Sequence, residues 1–343
     1  MEQNDDRKLL GMNPARLAEV AAEVGLKPFA AKQMAAWLYQ KKVTDIDSMT
    51  DLSKYARAKL VQRGYHIGRQ APKAEARSAD GTVKYLFEGV GGRDIEAVYI
   101  PDKERATLCV SSQAGCRMNC RFCMTGQGGW QGNLDAGAII NQILSIPESD
   151  TLTNIVFMGM GEPADNIGQV LAALEILTAK WGMAWSPRRI TVSSIGKLDG
   201  LKRLLDSTQV HIAISIHSPY ALEREQLMPV EKAFPMREVL RLLRQYDFAH
   251  QRRLSMEYTM FDRLNDDDRH ADALARVLKG MDVRVNLIRF HKTPGFDGAP
   301  STREAMERFR DRLNAAGITA TIRASRGEDI MAACGMLAGK KKD

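Results

Sequence analysis

Several absences narrow the reading of this chain. Nowhere in its 343 residues is there a run of about 18 apolar residues, the length a membrane-crossing helix needs. The start, Met1-Glu2-Gln3-Asn4-Asp5-Asp6, is polar and acidic and lacks the apolar stretch of a secretory signal. Cysteine is scarce and odd in number, five in all, which argues against a disulfide scaffold and fits a reducing compartment. A soluble cytoplasmic protein with no membrane partner is therefore expected. No fourth Cys or His stands at finger spacing beside the densest cysteine group, which argues against a closed structural zinc site. Nor is the charge extreme. A net +7 is compatible with a polyanionic partner and equally with a mildly basic enzyme that has none.

What is present centres on Cys116-Arg117-Met118-Asn119-Cys120-Arg121-Phe122-Cys123, which holds three of the five cysteines. Thr107 to Ser112 reads as a strand leading into a Gly115 turn, so the cysteines form a loop set on a strand end. Iron–sulfur clusters are usually held by four cysteines, and three leave one iron of a four-iron cluster open to a substrate or cofactor. The alternative is three reduced cysteines without metal, although free cysteines are usually scattered through a core. The spacing C-x3-C-x2-C resembles the signature of the radical S-adenosylmethionine (SAM) superfamily, in which SAM chelates that open iron.

Residues 1–70 read as a helical domain. Asn13 caps and Pro14 opens a helix with Leu17, Val20, Ala21 and Val24 on one face; Met34, Trp37 and Leu38 mark a second. Thr50 or Asp51 is expected to cap a third, with Leu52, Tyr55, Ala56 and Leu60 on a stripe. Twelve Lys/Arg against eight Asp/Glu here fit either solvated helix faces or an RNA-gripping module. Residues 71–104 read as a linker over 71–78 followed by a hairpin: Val83, Tyr85 and Phe87 alternate, Gly91-Gly92 turns, and Ile95 to Ile100 returns. Glu96 on the return strand is expected to face outward.

From Thr107 to Phe290 apolar strands alternate with helices. Six strands are expected: Thr107 to Ser112, Asn154 to Met160, Arg189 to Ser194, Val210 to Ile216, Leu254 to Met260 and Val283 to Phe290. This predicts an α/β fold, a partial (βα)6 barrel over 105–300, with 301–343 adding a helix, a strand and a mobile segment around Cys334. The barrel rule places chemistry at the carboxyl ends of the strands. The cysteine loop, Gly159-Met160-Gly161-Glu162-Pro163, Ser193-Ser194, Ser215-Ile216-His217 and His291 all fall there.

Leu108-Cys109-Val110-Ser111-Ser112-Gln113, Gly115-Cys116, Met158 to Pro163, and Arg326-Gly327-Glu328-Asp329-Ile330-Met331-Ala332-Ala333-Cys334-Gly335 together resemble the RlmN/Cfr family of radical SAM RNA methyltransferases. The likeness runs from Lys27-Pro28-Phe29 and Met49-Thr50-Asp51 to Cys334. It implies a [4Fe-4S] cluster on Cys116, Cys120 and Cys123, with Gly161 and Glu162 meeting the amino group of SAM. It further implies that Ser193, Ser215, Ile216, His217 and His291 contact the rest of SAM. Where the family has Trp-Asn-Pro, this chain has Phe290-His291-Lys292. As isolated residues these positions serve equally as turns and strand-end caps.

The resemblance also implies a mechanism that uses two SAM per turnover. One methylates Cys334; a second is cleaved reductively, and the resulting radical activates that methyl for addition to adenine. Cys109 then resolves the protein–RNA adduct by a disulfide with Cys334, and Glu96 is the proton acceptor. Read without the resemblance, Cys109 is a buried strand cysteine and Cys334 a tail cysteine, with Gly327, Gly335 and Gly339 around it. The implied substrate is an unstacked adenosine of 23S rRNA, methylated at carbon 2, and an anticodon-loop adenosine of some tRNAs. Carbon 8 methylation of the same rRNA base, the Cfr-type activity, is the alternative, and a radical SAM enzyme on a non-RNA substrate the third reading. An electron donor such as flavodoxin or ferredoxin and a monomeric state are expected. Lys340, Lys341 and Lys342 read as a solvated tail, with a grip on RNA as the alternative.

Overall fold

The computed structural model describes residues 7–339; the segment before Arg7 and the terminal lysines Lys340, Lys341 and Lys342 lie outside it. Asn13 accepts from the Arg16 amide at 3.1 Å and Pro14 takes the first helical position, so α1 (Pro14–Glu23) turns Leu17, Val20 and Ala21 inward. α2 (Ala30–Ala35) runs into a π-helical turn, Ala36–Gln40. Met34, Leu38 and Tyr39 are buried there, while Trp37 is half-buried beneath the Lys41 ammonium, 3.3 Å from its ring centre. α3 (Lys54–Gln62) is capped by Ser53 rather than Thr50 or Asp51. Ala56 and Leu60 face inward, but Tyr55 is 72% exposed, because one step along a helix is a rotation of about 100°. These helices dock on the rest of the chain through Tyr39 against Trp181, ring centres 5.8 Å apart, and Lys8 to Asp135 at 2.8 Å.

β1 (Ala74–Arg77), β2 (Val83–Phe87) and β3 (Ile95–Asp102) form an antiparallel extension, so the expected linker contains a strand. Its side chains are mostly exposed and do not alternate. Backbone pairing of Ala74 with Leu86 and Arg77 with Val83 makes it a strand, and no apolar pattern announces that. β4 (Arg105–Cys109) follows and stops short of Ser112. The reason is Gln142, whose side-chain amide takes both the N–H and the C=O of Ser111, at 2.8 and 2.9 Å. The chain then forms a separate two-stranded sheet, β5 (Gln113–Gly115) with β6 (Trp130–Asn133), which brackets the cysteine loop and a short helix, α4 (Met124–Gln127).

Alternation takes over with α5 (Ala136–Leu144), β7 (Asn154–Phe157), α6 (Ile167–Thr178), β8 (Ile190–Ser194), α7 (Leu198–Ser207), β9 (His211–Ser215) and α8 (Ala221–Leu227). α9 (Met236–Leu243), β10 (Leu254–Met260), α10 (Asp268–Leu278), β11 (Arg284–Arg289), α11 (Arg303–Ala315) and β12 (Thr319–Ile322) complete it. One ten-stranded sheet results, in the order β1-β2-β3-β4-β7-β8-β9-β10-β11-β12, and every pair from β4 to β12 is parallel. β1 and β12 are its edges, so the α/β barrel is open. β12 extends the six expected parallel strands by a seventh, and β10 is buried at every position. Among the described residues no helix is long and apolar enough to cross a membrane.

Candidate active site

The cysteine loop gets its shape from its own backbone. Gly115 (φ 75°) lies so close to the Gly129 carbonyl that no Cβ fits, Asn119 adopts φ 52°, and the Cys116 amide donates to Gly129 O at 3.0 Å. Met118 and Phe122 pack inward with Ile195, Leu227, Met228, Phe261 and Phe290, which fixes the loop against the strand ends. Cys116, Cys120 and Cys123 all open onto one cleft at the carboxyl ends of the parallel strands. Burial pushes the Cys116 thiol up to about 12 and raises Cys120 and Cys123, each worsened by its sulfur neighbours. Thiols so placed ionise only beside a strong cation, so this donor set fits a metal cluster that takes thiolates and displaces their protons.

Across the cleft, Gly161 (φ 95°) presses on Gln113, whose side chain accepts from the Glu162 amide at 2.8 Å. The Glu162 carboxylate is buried and accepts from the amides of Ala164 and Ile195, each at 3.0 Å. Burial pushes its pKa up to about 7 against the pull of Ser194 and those two amides, so a cationic ligand would gain a strongly attractive partner here. Ser193 and Ser215 line the same wall. His217, in the left-handed region at φ 55°, is clamped by Asn265, which donates to its carbonyl at 2.7 Å. The Thr259 amide donates to His217 Nδ1 at 2.9 Å, and burial pulls the ring pKa down to about 3. The imidazole is therefore neutral, carries its proton on Nε2 and offers that N–H as a donor.

Comparison with known proteins agrees with this geometry. Residues 7–65 match the family described as the ribosomal RNA large subunit methyltransferase N-terminal domain, and residues 110–274 match the radical SAM superfamily. A probable dual-specificity RNA methyltransferase RlmN from Parabacteroides distasonis is 58% identical over 337 residues, 98% of either chain. The chain belongs to the RlmN family. A dual-specificity RNA methyltransferase RlmN from Halorhodospira halophila is 42% identical over 98% of this chain and 94% of its own. The crystal structure of a radical SAM methyltransferase from Sphaerobacter thermophilus superposes with a TM-score of 0.90 at 39% identity, covering 96% of this chain and 98% of that one. Membership makes this a radical SAM methyltransferase whose cofactors are a [4Fe-4S] cluster and SAM.

The remaining residues singled out by the RlmN resemblance divide. Cys334 lines the cleft, brought there from the far end of the chain. Its segment is tied on both sides: Gly327 N to Asp80 at 3.0 Å and Ser78 to Asp329 at 2.6 Å before it, Met124 N to Gly335 O at 2.9 Å and Thr125 to Leu337 O at 2.5 Å after it. Cys109 is buried at the end of β4 and does not line the cleft, and burial pushes its thiol up to about 12. Ile216 is fully buried. Its backbone, not its side chain, serves the site, donating to Glu257 O and accepting from Arg224. His291 turns away from the cleft: Nε2 lies 3.1 Å from Ser325 and Nδ1 3.2 Å from Glu328. Phe290 takes the inner position, its ring packed on Phe261 and Phe296. Glu96 is buried rather than outward-facing, and stands outside the cleft, bound to Lys84 at 3.1 Å and to the amides of Ala338 and Gly339 at 2.9 and 3.1 Å.

Three residues of the site carry no expectation from sequence: Glu257 and Thr259 on β10 and Arg323 just past β12 line the cleft. Asn265, which the sequence places slightly after the fifth strand end, braces it through the His217 carbonyl. A signal existed for Glu257, a carboxylate inside the apolar run Leu254 to Met260. Arg323 obeys the strand-end rule once β12 is counted as part of the barrel.

Proposed function

We propose that this protein methylates carbon 2 of an adenosine in 23S rRNA, and of an anticodon-loop adenosine in some tRNAs, through a methylated Cys334. The observation that carries this is the meeting of Cys334 with Cys116, Cys120 and Cys123 in one cleft. A radical SAM enzyme on a non-RNA substrate predicts no role for Cys334. The carbon between two ring nitrogens of adenine is not a nucleophile, and the bound cluster and SAM supply the radical chemistry that such a carbon needs. The protein's own part is binding, orientation and proton handling. Glu162 receives an ammonium, Ser193 and Ser215 offer hydroxyls, and His217 Nε2–H donates to an acceptor on SAM.

In this reading the Cys334 thiolate takes the methyl of SAM, and the Cys109 thiolate later attacks the Cys334 sulfur: the S–S bond forms as the bond from that sulfur to the RNA-bound carbon breaks, and that carbon keeps the electron pair and gains a proton to become the methyl. Glu96 accepts the proton of the ring carbon; movement of the tail frees the carboxylate oxygen now held by Ala338 and Gly339. An electron carrier such as flavodoxin or ferredoxin supplies the reductant, and the protein works as a cytoplasmic monomer. The test is an anaerobic reaction of reconstituted protein with SAM, reductant and an unmodified 23S rRNA fragment, digested to nucleosides for mass spectrometry. 2-Methyladenosine is expected. 8-Methyladenosine would transfer the protein to the carbon 8 activity, and neither product, with cluster and SAM cleavage intact, would refute an rRNA substrate.

A further inference from the structure

Arg93 stands where the turn between β2 and β3 meets the C-terminal segment. It is only 5% exposed, yet among the described residues it makes no ion pair and its Nε has no hydrogen-bond partner. The carboxylates beside it in the chain are engaged elsewhere, Asp94 with Lys73 at 2.6 Å and Glu96 with Lys84 at 3.1 Å. The guanidinium lies against Gly128 at the end of α4, where any side chain would collide with it. The Gly128 carbonyl accepts from Gln131 at 3.3 Å instead. From the other side the C-terminal segment covers it: a Cβ at Gly339 would strike the Asp94 carbonyl and come within 3.2 Å of Arg93 Cγ. A guanidinium buried without an anion costs free energy that a charged, hydrogen-bonded partner recovers, so this arrangement is one half of a contact.

The anion it suits is not the carboxylate of SAM, because Arg93 does not line the cleft shared by the cluster cysteines and Glu162. RNA phosphate fits. The segment that covers Arg93 is the one whose Ala338 and Gly339 amides hold Glu96. From residue 93 to residue 96 the chain spans at most about 10 Å, about one nucleotide from base to phosphate. Resting on the reading that Glu96 serves an RNA adenosine, we propose that Arg93 is a substrate-binding residue: when the C-terminal segment leaves Glu96, the Arg93 guanidinium takes a backbone phosphate of the target nucleotide. Its planar fork of donors matches a phosphate. Phosphate binds only the uncovered state and so favours it by that difference in affinity, which couples docking of RNA to release of Glu96. The contact positions the strand and leaves recognition of the base to the cleft.

The experiment compares wild type, R93K, R93Q and R93M as full-length reconstituted holoenzymes, with the 23S rRNA fragment as the probe in a salt series. R93Q and R93M are expected to bind it about tenfold more weakly, the effect of one charge-assisted hydrogen bond. Their slope of log affinity against log salt should be shallower by about 0.7, one phosphate of unpaired RNA. R93K keeps the charge and should keep the slope. R93M should melt at or above the wild-type temperature, because an apolar chain replaces a buried charge that has no partner, and its SAM cleavage without RNA should be unchanged. Hydrogen exchange at Ala338 and Gly339 should quicken when RNA binds wild type, and less so in R93M. A wild-type salt slope in R93M overturns the proposal. So does an R93M protein that melts well below wild type and loses RNA binding and SAM cleavage together, which would make Arg93 a packing residue. Exchange at Ala338 and Gly339 that RNA leaves unchanged overturns it too, because the guanidinium then stays covered. A wild-type protein that neither binds nor methylates the fragment would refute the RNA reading itself, whereas failure confined to the Arg93 variants leaves that reading standing.

Discussion

Removal of the Arg224 side chain tests how the cleft walls are held. Arg224, on α8, is wholly buried. Its Nε donates to Ile216 O at 3.1 Å, its Nη2 to Ile195 O at 3.0 Å and Ser215 O at 3.1 Å, and its Nη1 pairs with Glu231. One guanidinium therefore ties together the ends of β8 and β9, where Ser193, Ser215 and His217 face the cleft. R224M keeps most of the side-chain volume but leaves three carbonyls without this donor and Glu231 as a buried carboxylate without its cation. Breaking a buried pair on one side costs about 3–5 kcal/mol. For 343 residues the unfolding entropy is roughly 0.7 kcal/mol per kelvin, so the melting temperature should fall by about 5 °C. R224M/E231Q removes the stranded charge and should recover part of that loss. SAM affinity should not recover, since the strand ends stay untied. The assay is thermal melting at equal cluster loading together with SAM binding by equilibrium dialysis. A single variant that melts within about 1 °C of wild type and binds SAM normally would refute the reasoning.

Other outcomes follow from the same geometry. Replacing Cys334 with Ala should leave the cluster absorbance intact and abolish RNA methylation; full methylation by that variant would remove the proposed intermediate. Cys109→Ala should accumulate protein covalently joined to RNA on denaturing gels, and finding only free RNA would count against its resolving role. His217 is held neutral with a pKa of about 3 against an ordinary 6.5, so only the unfolded chain gains its proton as pH falls from 7 to 5. Stability present above the ordinary value is thereby lost on acidification, about 2 kcal/mol over that interval. H217Q should flatten the pH dependence of melting by that amount, and an unchanged slope would assign the loss to other groups.

The amino-terminal helix shows how far local chemistry reaches. Asn13 and Pro14 specify where α1 begins because a capping side chain and a fixed φ act within one turn. The same logic missed the cap of α3, where Thr50, Asp51 and Ser53 compete over four residues and packing selects Ser53. β1 was illegible for a different reason: its pairing with β2 is made by backbone groups, which every residue carries. His291 was read through its position at a strand end and Glu96 as an outward-facing residue of the return strand, yet the C-terminal segment folds back and occupies both.

The sequence by itself determined the cluster loop, the strand-and-helix alternation and the family, since each rests on residue types at short spacing. Cys116, Cys120 and Cys123 share a loop whatever the rest of the chain does. Only the tertiary structure decided which distant residues face one another: that Cys334 enters the cleft while Cys109 stays behind it, that Glu257 and Arg323 meet across β10 and β12, and that Thr259 sets the tautomer of His217. Those contacts join positions far apart in the chain, where register and curl of the sheet set direction, and no local preference encodes them.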